Sequence, residues 1–211
     1  MEEELFKEYG NSDIVIAGSD EAGRGPLAGP VTAACVILGK DFPLEILDDS
    51  KKLTEKERLD AEKVIKEKAE CYAVVSLSHM VIDEINILNA SLTAMRMAFE
   101  KVFEKRKVSV LLVDGNKTPD VPVECHAVVK GDQKVPEIMA ASILAKVERD
   151  RIMDLADLKW PMYGYKKHKG YPTKAHIEAI KKYGPSPISR KSFHAKGLTP
   201  PLGDSSSLFP L

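Results

Sequence analysis

Apolar residues fall in short blocks separated by turn residues. Ile14–Ser19 predicts a strand ending at Asp20, and Val31–Leu38 predicts a second strand closed by Gly39. The Gly/Pro-rich stretch GRGPLAGP (23–30) between them makes an antiparallel pair. Thr54 followed by Glu57 is a capping box opening a helix that runs to about Ala69, with Leu59, Val64 and Ile65 on its apolar face. Tyr72–Leu77 reads as a third strand. Asp83–Ile87 reads as a helical turn, and Asn89–Lys105 as a helix with Leu92, Met95, Phe99, Val102 and Phe103 on one stripe. Val108–Val113 is a fourth strand, stopping at Asp114-Gly115, and Glu124–Val129 a fifth. Lys134–Leu158 is a long helix with Pro136 near its first turn, and its small residues at 140–145 let another element approach closely. A short helix is expected at about Lys174–Tyr183.

This order, a hairpin followed by strands spaced by helices, predicts an α/β fold: a mixed five-stranded sheet flanked by helices. In open α/β sheets ligands gather at the carboxyl ends of strands, where Asp20 and Asp114 are expected.

Composition adds a division that the periodicity does not show. The 211 residues carry a net charge of only −1, which excludes a histone-like binder dominated by electrostatics. Residues 159–197, however, hold ten Lys/Arg and one acid, Glu178, leaving −10 on the rest. The chain therefore divides into an acidic body (1–158), a basic helical arm (159–197) that could meet phosphates and a Pro/Ser-rich flexible tail (198–211). The acidic start MEEELFKEYG lacks the apolar region of a secretory signal, and no apolar run reaches the roughly 18–20 residues of a membrane span. Cys35, Cys71 and Cys125 have neither disulfide nor zinc spacing, so they read as free thiols in a reducing cytoplasm.

The candidate chemistry is acidic. Asp20, Glu21, Asp114 and Asp132 each follow an apolar run directly or within three residues. A single acid at a strand end can simply cap a turn, but four partly desolvated, mutually repelling carboxylates call for a compensating cation. Hard oxygen donors without His or Cys nearby in sequence point to Mg²⁺ or Mn²⁺, and two such ions about 4 Å apart can clamp the oxygens of a phosphoryl displacement. Asp20 and Glu21, as strand neighbours, can share a site only if the strand bends or ends there. Gly23-Arg24-Gly25-Pro26 lacks the Lys-Ser/Thr of a P-loop and fails G-x-G-x-x-G at Ala28. What remains is a bare backbone that can lie against a ligand, beside an Arg able to bind phosphate.

These residues carry a resemblance. DEAGRGPLAGPV (20–31), DDSKKLTEKER (48–58), INILNASLTAMRMA (85–98), LLVDGN (111–116), KGDQKVPEIMAASILAKVERDR (130–151), YGYKKHKGYPTKAH (163–176) and SPISRKSF (186–193) resemble, in order, segments of the ribonuclease HII (type 2 ribonuclease H) family. The resemblance covers about 12–197. It implies a ribonuclease H-like fold with a C-terminal helical extension. It also implies an endonuclease that cuts the RNA strand of RNA–DNA hybrids and single ribonucleotides embedded in duplex DNA, leaving a 3′-hydroxyl and a 5′-phosphate. Carried over by position, the catalytic, metal-binding acids are Asp20, Glu21, Asp114 and Asp132. Gly23, Arg24 and Gly25 fall where the backbone meets the ribose 2′-hydroxyl. Tyr171 falls where a ring packs on the sugar at the RNA–DNA junction, and Lys51 and Lys146 are candidate phosphate contacts.

Two other function classes fit these residues less well. A hybrid-binding module that has lost catalysis should lack an acid, and all four are present. A phosphatase of small esters would not explain a basic arm with Tyr163, Tyr165 and Tyr171 interleaved. His168 and His176, flanking Tyr171, read as surface residues or phosphate contacts. The protein is expected to be a monomer. Leu208-Phe209 faintly resembles the hydrophobic end of peptides that dock on sliding clamps, without the usual glutamine, which makes a clamp a second candidate partner.

Overall fold

The structure is a computed structural model and describes residues 14–195 and Leu198. Strands β1 (Ile16–Ala22), β2 (Val31–Ile37), β3 (Cys71–Leu77), β4 (Val110–Asp114) and β5 (Glu124–Val128) form one sheet in the order β3-β2-β1-β4-β5. β1 pairs antiparallel with β2, and β2 with β3; β1 with β4, and β4 with β5, run parallel. The helices are α1 (Glu55–Lys68), α2 (His79–Phe103), α3 (Pro136–Lys159), α4 (Tyr165–His168) and α5 (Lys174–Tyr183). This is the mixed sheet the sequence predicts.

β2 shows how the layers form. All seven of its residues are buried, because helices cover both faces of the sheet and the strand needs no polar side. Ala33, Cys35 and Ile37 pack with Met95, Phe99 and Val102 of α2. Ala34 and Val36, one residue out of phase, pack with Ile65 of α1 and Ala140, Ile143 and Leu144 of α3. Each fully buried Leu, Ile or Phe side chain stabilises the fold by about 1.5–3 kcal/mol. α3 lies directly on β1, because a Cβ at Gly18 would come within 2.3 Å of the Glu137 carbonyl carbon. Among the described residues no helix is long and apolar enough to cross a membrane.

Local signals account for the helix ends. The Thr54 hydroxyl accepts from the Glu57 N–H and the Glu57 carboxylate accepts from the Thr54 N–H, as the capping box requires. The expected turn and helix at 83–105 are one helix, α2, broken at Asn86 (φ 65°, ψ 166°), whose side-chain oxygen accepts from the Asn89 N–H and caps the second half. The end of β1 also departs from expectation. It does not stop at Asp20 but continues to Ala22, held by β2 through the pairs Glu21–Ala33 and Ala22–Thr32. Its pairing with β4 ends at Ser19–Val113, so beyond that point only one edge of β1 is engaged.

The basic segment folds back onto the glycine loop. Leu27 N–H donates to Gly170 O (2.8 Å), Gly29 N–H to Ile188 O (2.9 Å), and Arg190 N–H to Leu27 O (2.8 Å). Tyr163 and Tyr165 are buried, which corrects the reading of them as part of an interleaved binding face. Their hydroxyls are used internally, Tyr163 donating to Gly184 O and Tyr165 bonding Ser186. Tyr171, 44% exposed, is the aromatic this loop leaves at the surface.

Candidate active site

β1 and β4 run parallel, so Asp20, one residue past their last pair, lies near Asp114, the last residue of β4. Asp132 comes from the turn Gly131–Gln133 after β5, entered through Lys130 in a left-handed conformation (φ 58°). Asp114 Oδ1 ties this turn to β4, accepting from Gly131 N–H (2.7 Å) and Asp132 N–H (3.4 Å). Asp20, Asp114 and Asp132 each present a carboxylate oxygen within 4.8 Å of the others.

This proximity is electrostatically costly. Burial first, then the charges of Glu21 and Asp114, hold the Asp20 carboxyl well above the usual carboxylate range. Ser142 of α3 opposes that rise with a hydrogen bond to Asp20. Burial also raises Asp114, and Asp132 adds to it. Glu21 is pushed up to about 7 by burial; Arg24, whose guanidinium is 3.3 Å from it, opposes the shift, and Asp114 raises it further. Lys51 donates to Asp132 (2.6 Å), and this bond raises the lysine's own pKa.

The donor set fits a hard divalent cation. The oxygens of Asp20, Asp114 and Asp132 converge, no sulfur or imidazole stands among them, and a cation, the Lys51 ammonium, is already drawn to the group. Glu21 stands beside this trio rather than within it, its carboxylate engaged by Arg24.

A cleft of about 230 Å³ opens over these groups. Asp20, Glu21, Asp114, the loop Gly23–Gly25, Lys51, Lys146 and Tyr171 line it, so nearly every residue singled out in the sequence meets here. Asp132 is reached through Asp114 and Lys51. The Tyr171 ring lies over Gly25, 3.5 Å from where a Cβ there would sit. Lys146 is paired with Asp150 (2.7 Å) one helical turn on.

His176 is a correction: it is fully buried, neither a surface residue nor a phosphate contact. It stacks on His168 (4.5 Å between centroids), and its Nδ1 bonds the Tyr171 carbonyl oxygen (3.0 Å), fixing the backbone that presents the tyrosine. The sequence reading also missed Ser50, Ser142 and Arg149, which line the cleft. Ser50 lies in the DDSKKL segment (48–53), and Ser142 among the small residues of α3. Nothing local marks Arg149 among the many charges of its helix.

Comparison with known proteins identifies the family. The family model described as Ribonuclease HII matches residues 17–196. The chain is 52% identical over 195 residues to the ribonuclease HII of Caldanaerobacter subterraneus subsp. tengcongensis, covering 92% of this chain and 79% of that one. The solved structure of the Archaeoglobus fulgidus PCNA:RNase HII complex matches with a TM-score of 0.71 at 26% identity, covering 88% of this chain and 98% of that one. The ribonuclease H2 of Pyrococcus horikoshii OT3 matches with a TM-score of 0.69 at 27% identity, covering 85% and 94%. With its ribonuclease H-like sheet, its clustered acids and this match along most of its length, the chain belongs to the ribonuclease HII family and is a ribonuclease H.

Proposed function

We propose that this enzyme hydrolyses the RNA strand of RNA–DNA hybrids and cuts 5′ of single ribonucleotides in duplex DNA, leaving a 3′-hydroxyl and a 5′-phosphate by two-metal-ion catalysis. The observation that carries the reading is the convergence of Asp20, Asp114 and Asp132 within 4.8 Å, in a cleft that also holds the bare Gly23–Gly25 backbone and Tyr171. Asp20, Asp114 and Asp132 would hold divalent ions of the Mg²⁺ or Mn²⁺ kind, with Glu21 beside them. Bound there, such ions would lower the pKa of an attacking water and offset charge developing on phosphorus.

The remaining roles belong to the chain's own groups. Gly23–Gly25 present backbone to the ribose, the side of the nucleotide whose 2′-hydroxyl distinguishes RNA from DNA. Tyr171 offers an exposed ring for a sugar at the junction. Lys51 and Lys146 bring ammonium groups to the cleft for phosphate oxygens, and the basic extension over 159–197 follows the backbone of the duplex beyond the 1–158 catalytic body. The Archaeoglobus enzyme was solved with PCNA. That supports a sliding clamp as a partner for residues 204–211 here, a tail outside the described residues; equal clamp retention with and without it would remove the idea.

Incubation with duplex DNA holding one ribonucleotide, in Mg²⁺, Mn²⁺ or chelator, tests the central reading. One cut on the 5′ side of the ribonucleotide, with 3′-hydroxyl and 5′-phosphate ends and only with metal, is expected. Undiminished cleavage in chelator, or 2′,3′-cyclic phosphate ends, would overturn it.

A further inference from the structure

Two of the largest fully buried side chains are arginines, Arg149 and Arg190. Among the described residues neither guanidinium has a carboxylate within ion-pair distance, although a buried charge is costly unless compensated. Both are compensated by one loop. Arg149 of α3 donates to Pro30 O (3.0 Å) and Ala28 O (3.3 Å). Arg190, from the segment after α5, donates to Gly29 O (2.9 Å), Arg24 O (3.1 Å), Gly23 O (2.7 Å) and Pro30 O (3.0 Å). Four carbonyls around a single planar fork leave the loop little freedom.

The direction of these bonds matters. A trans peptide is planar, so a carbonyl and the N–H that follows it point in opposite directions. Arg190 draws the Gly23 and Arg24 carbonyls inward. It thereby turns the Arg24 and Gly25 N–H groups outward, toward the cleft that these residues line. Neither N–H meets an acceptor among the described residues. Gly23 makes the arrangement possible: its φ is +100°, and a Cβ there would fall 2.1 Å from Arg149 Nε.

We infer that Arg190 is a positioning residue, which aims the Arg24 and Gly25 N–H donors at the ribose and so lets the basic extension govern discrimination between RNA and DNA. The inference rests on the proposed role of the Gly23–Gly25 loop, and the two are separable.

Arg190→Lys keeps the charge but cannot span the four carbonyls. The measurements are ¹H–¹⁵N amide signals and duplex affinity in chelator, for DNA with one ribonucleotide and for the same sequence all in DNA. In the variant the Arg24 and Gly25 amide signals should move. Affinity for all-DNA duplex should stay within about 2-fold, since phosphate contacts remain, while the preference for the ribonucleotide falls toward one. In metal, kcat should drop by about 10- to 100-fold, the loss expected from misplacing a positioned group by about an ångström. Unmoved amide signals in folded Arg190→Lys would overturn the inference. Moved signals with an intact ribonucleotide preference would support Arg190 as the residue that positions the loop and instead overturn the loop's role in sensing the 2′-hydroxyl. If Arg190→Lys does not fold, Arg190→Gln, which offers two N–H donors and no charge, gives the same readings.

Discussion

Asp114→Asn isolates the electrostatic cost of the acid cluster. The parent holds three carboxylate oxygens within 4.8 Å of one another. Two unit charges at such a separation repel by about 3.5 kcal/mol at an effective dielectric of about 20. Asp114 faces two such neighbours, and Lys51 offsets part of the repulsion. Burial and Asp132 raise its pKa, so folding disfavours its charged form. Asparagine keeps the Oδ1 acceptor for the Gly131 and Asp132 N–H groups, removes the charge and turns the second oxygen into an NH2 donor that can face the neighbouring carboxylates. In chelator the variant should therefore be more stable than the parent, by about 1–3 kcal/mol after screening. In a chain of this size that raises Tm by between about 2 and 12 °C. Mg²⁺ at about 100 times its Kd should stabilise the parent by about 2.7 kcal/mol and the variant much less. Cleavage should be abolished, with duplex binding largely kept. Melting curves with and without Mg²⁺ decide it. A variant less stable than the parent in chelator would refute the repulsion argument, and full cleavage would sink the metal assignment.

Other expectations follow from packing and protonation. Gly18→Ala should destabilise by at least about 1–3 kcal/mol, because the new methyl meets backbone of α3 at 2.3–2.4 Å and neither β1 nor α3 can yield cheaply; an unchanged urea midpoint would contradict this. Burial lowers the His176 pKa to about 4, so the folded state resists a proton that the unfolded chain accepts near pH 6.5. The stability it contributes is complete above about pH 6.5 and is lost as pH falls toward 4, by about 2 kcal/mol between pH 7 and pH 5. His176→Leu should flatten that slope in urea titrations, and parallel slopes for parent and variant would exclude His176 as the source. Tyr171→Ala should slow cleavage at a single ribonucleotide more than cleavage of a long hybrid, and equal losses would argue against a junction role.

Much of the sheet was legible because its determinants are local. The apolar blocks at 31–38 and 72–77, the capping box at 54–57 and the Pro136 helix start each depend on neighbours within a few residues, and each appears within a residue or two of its expected place. β1 was misjudged at its end because Asp20 and Glu21 look like a stop, whereas the pairing that carries them is supplied by β2. His176 was misjudged because its burial depends on His168 and Tyr165 packing around it, which no local pattern reveals.

The sequence by itself determined the fold class and singled out the acids and the loop that meet in the cleft, since strand period, turn chemistry and motif order are one-dimensional signals. Only the tertiary structure decided how they act together. Parallel pairing of β1 with β4 brings residues 20 and 114 side by side, and a left-handed turn at Lys130 delivers Asp132 to them. The split between acidic body and basic arm was visible in the charge count, but its point of contact was not. Arg190 looks like one more positive charge of that arm, yet it lies buried against loop carbonyls about 160 residues earlier. Carbonyl orientation belongs to the folded backbone, and only folding reveals which amides are left facing the cleft.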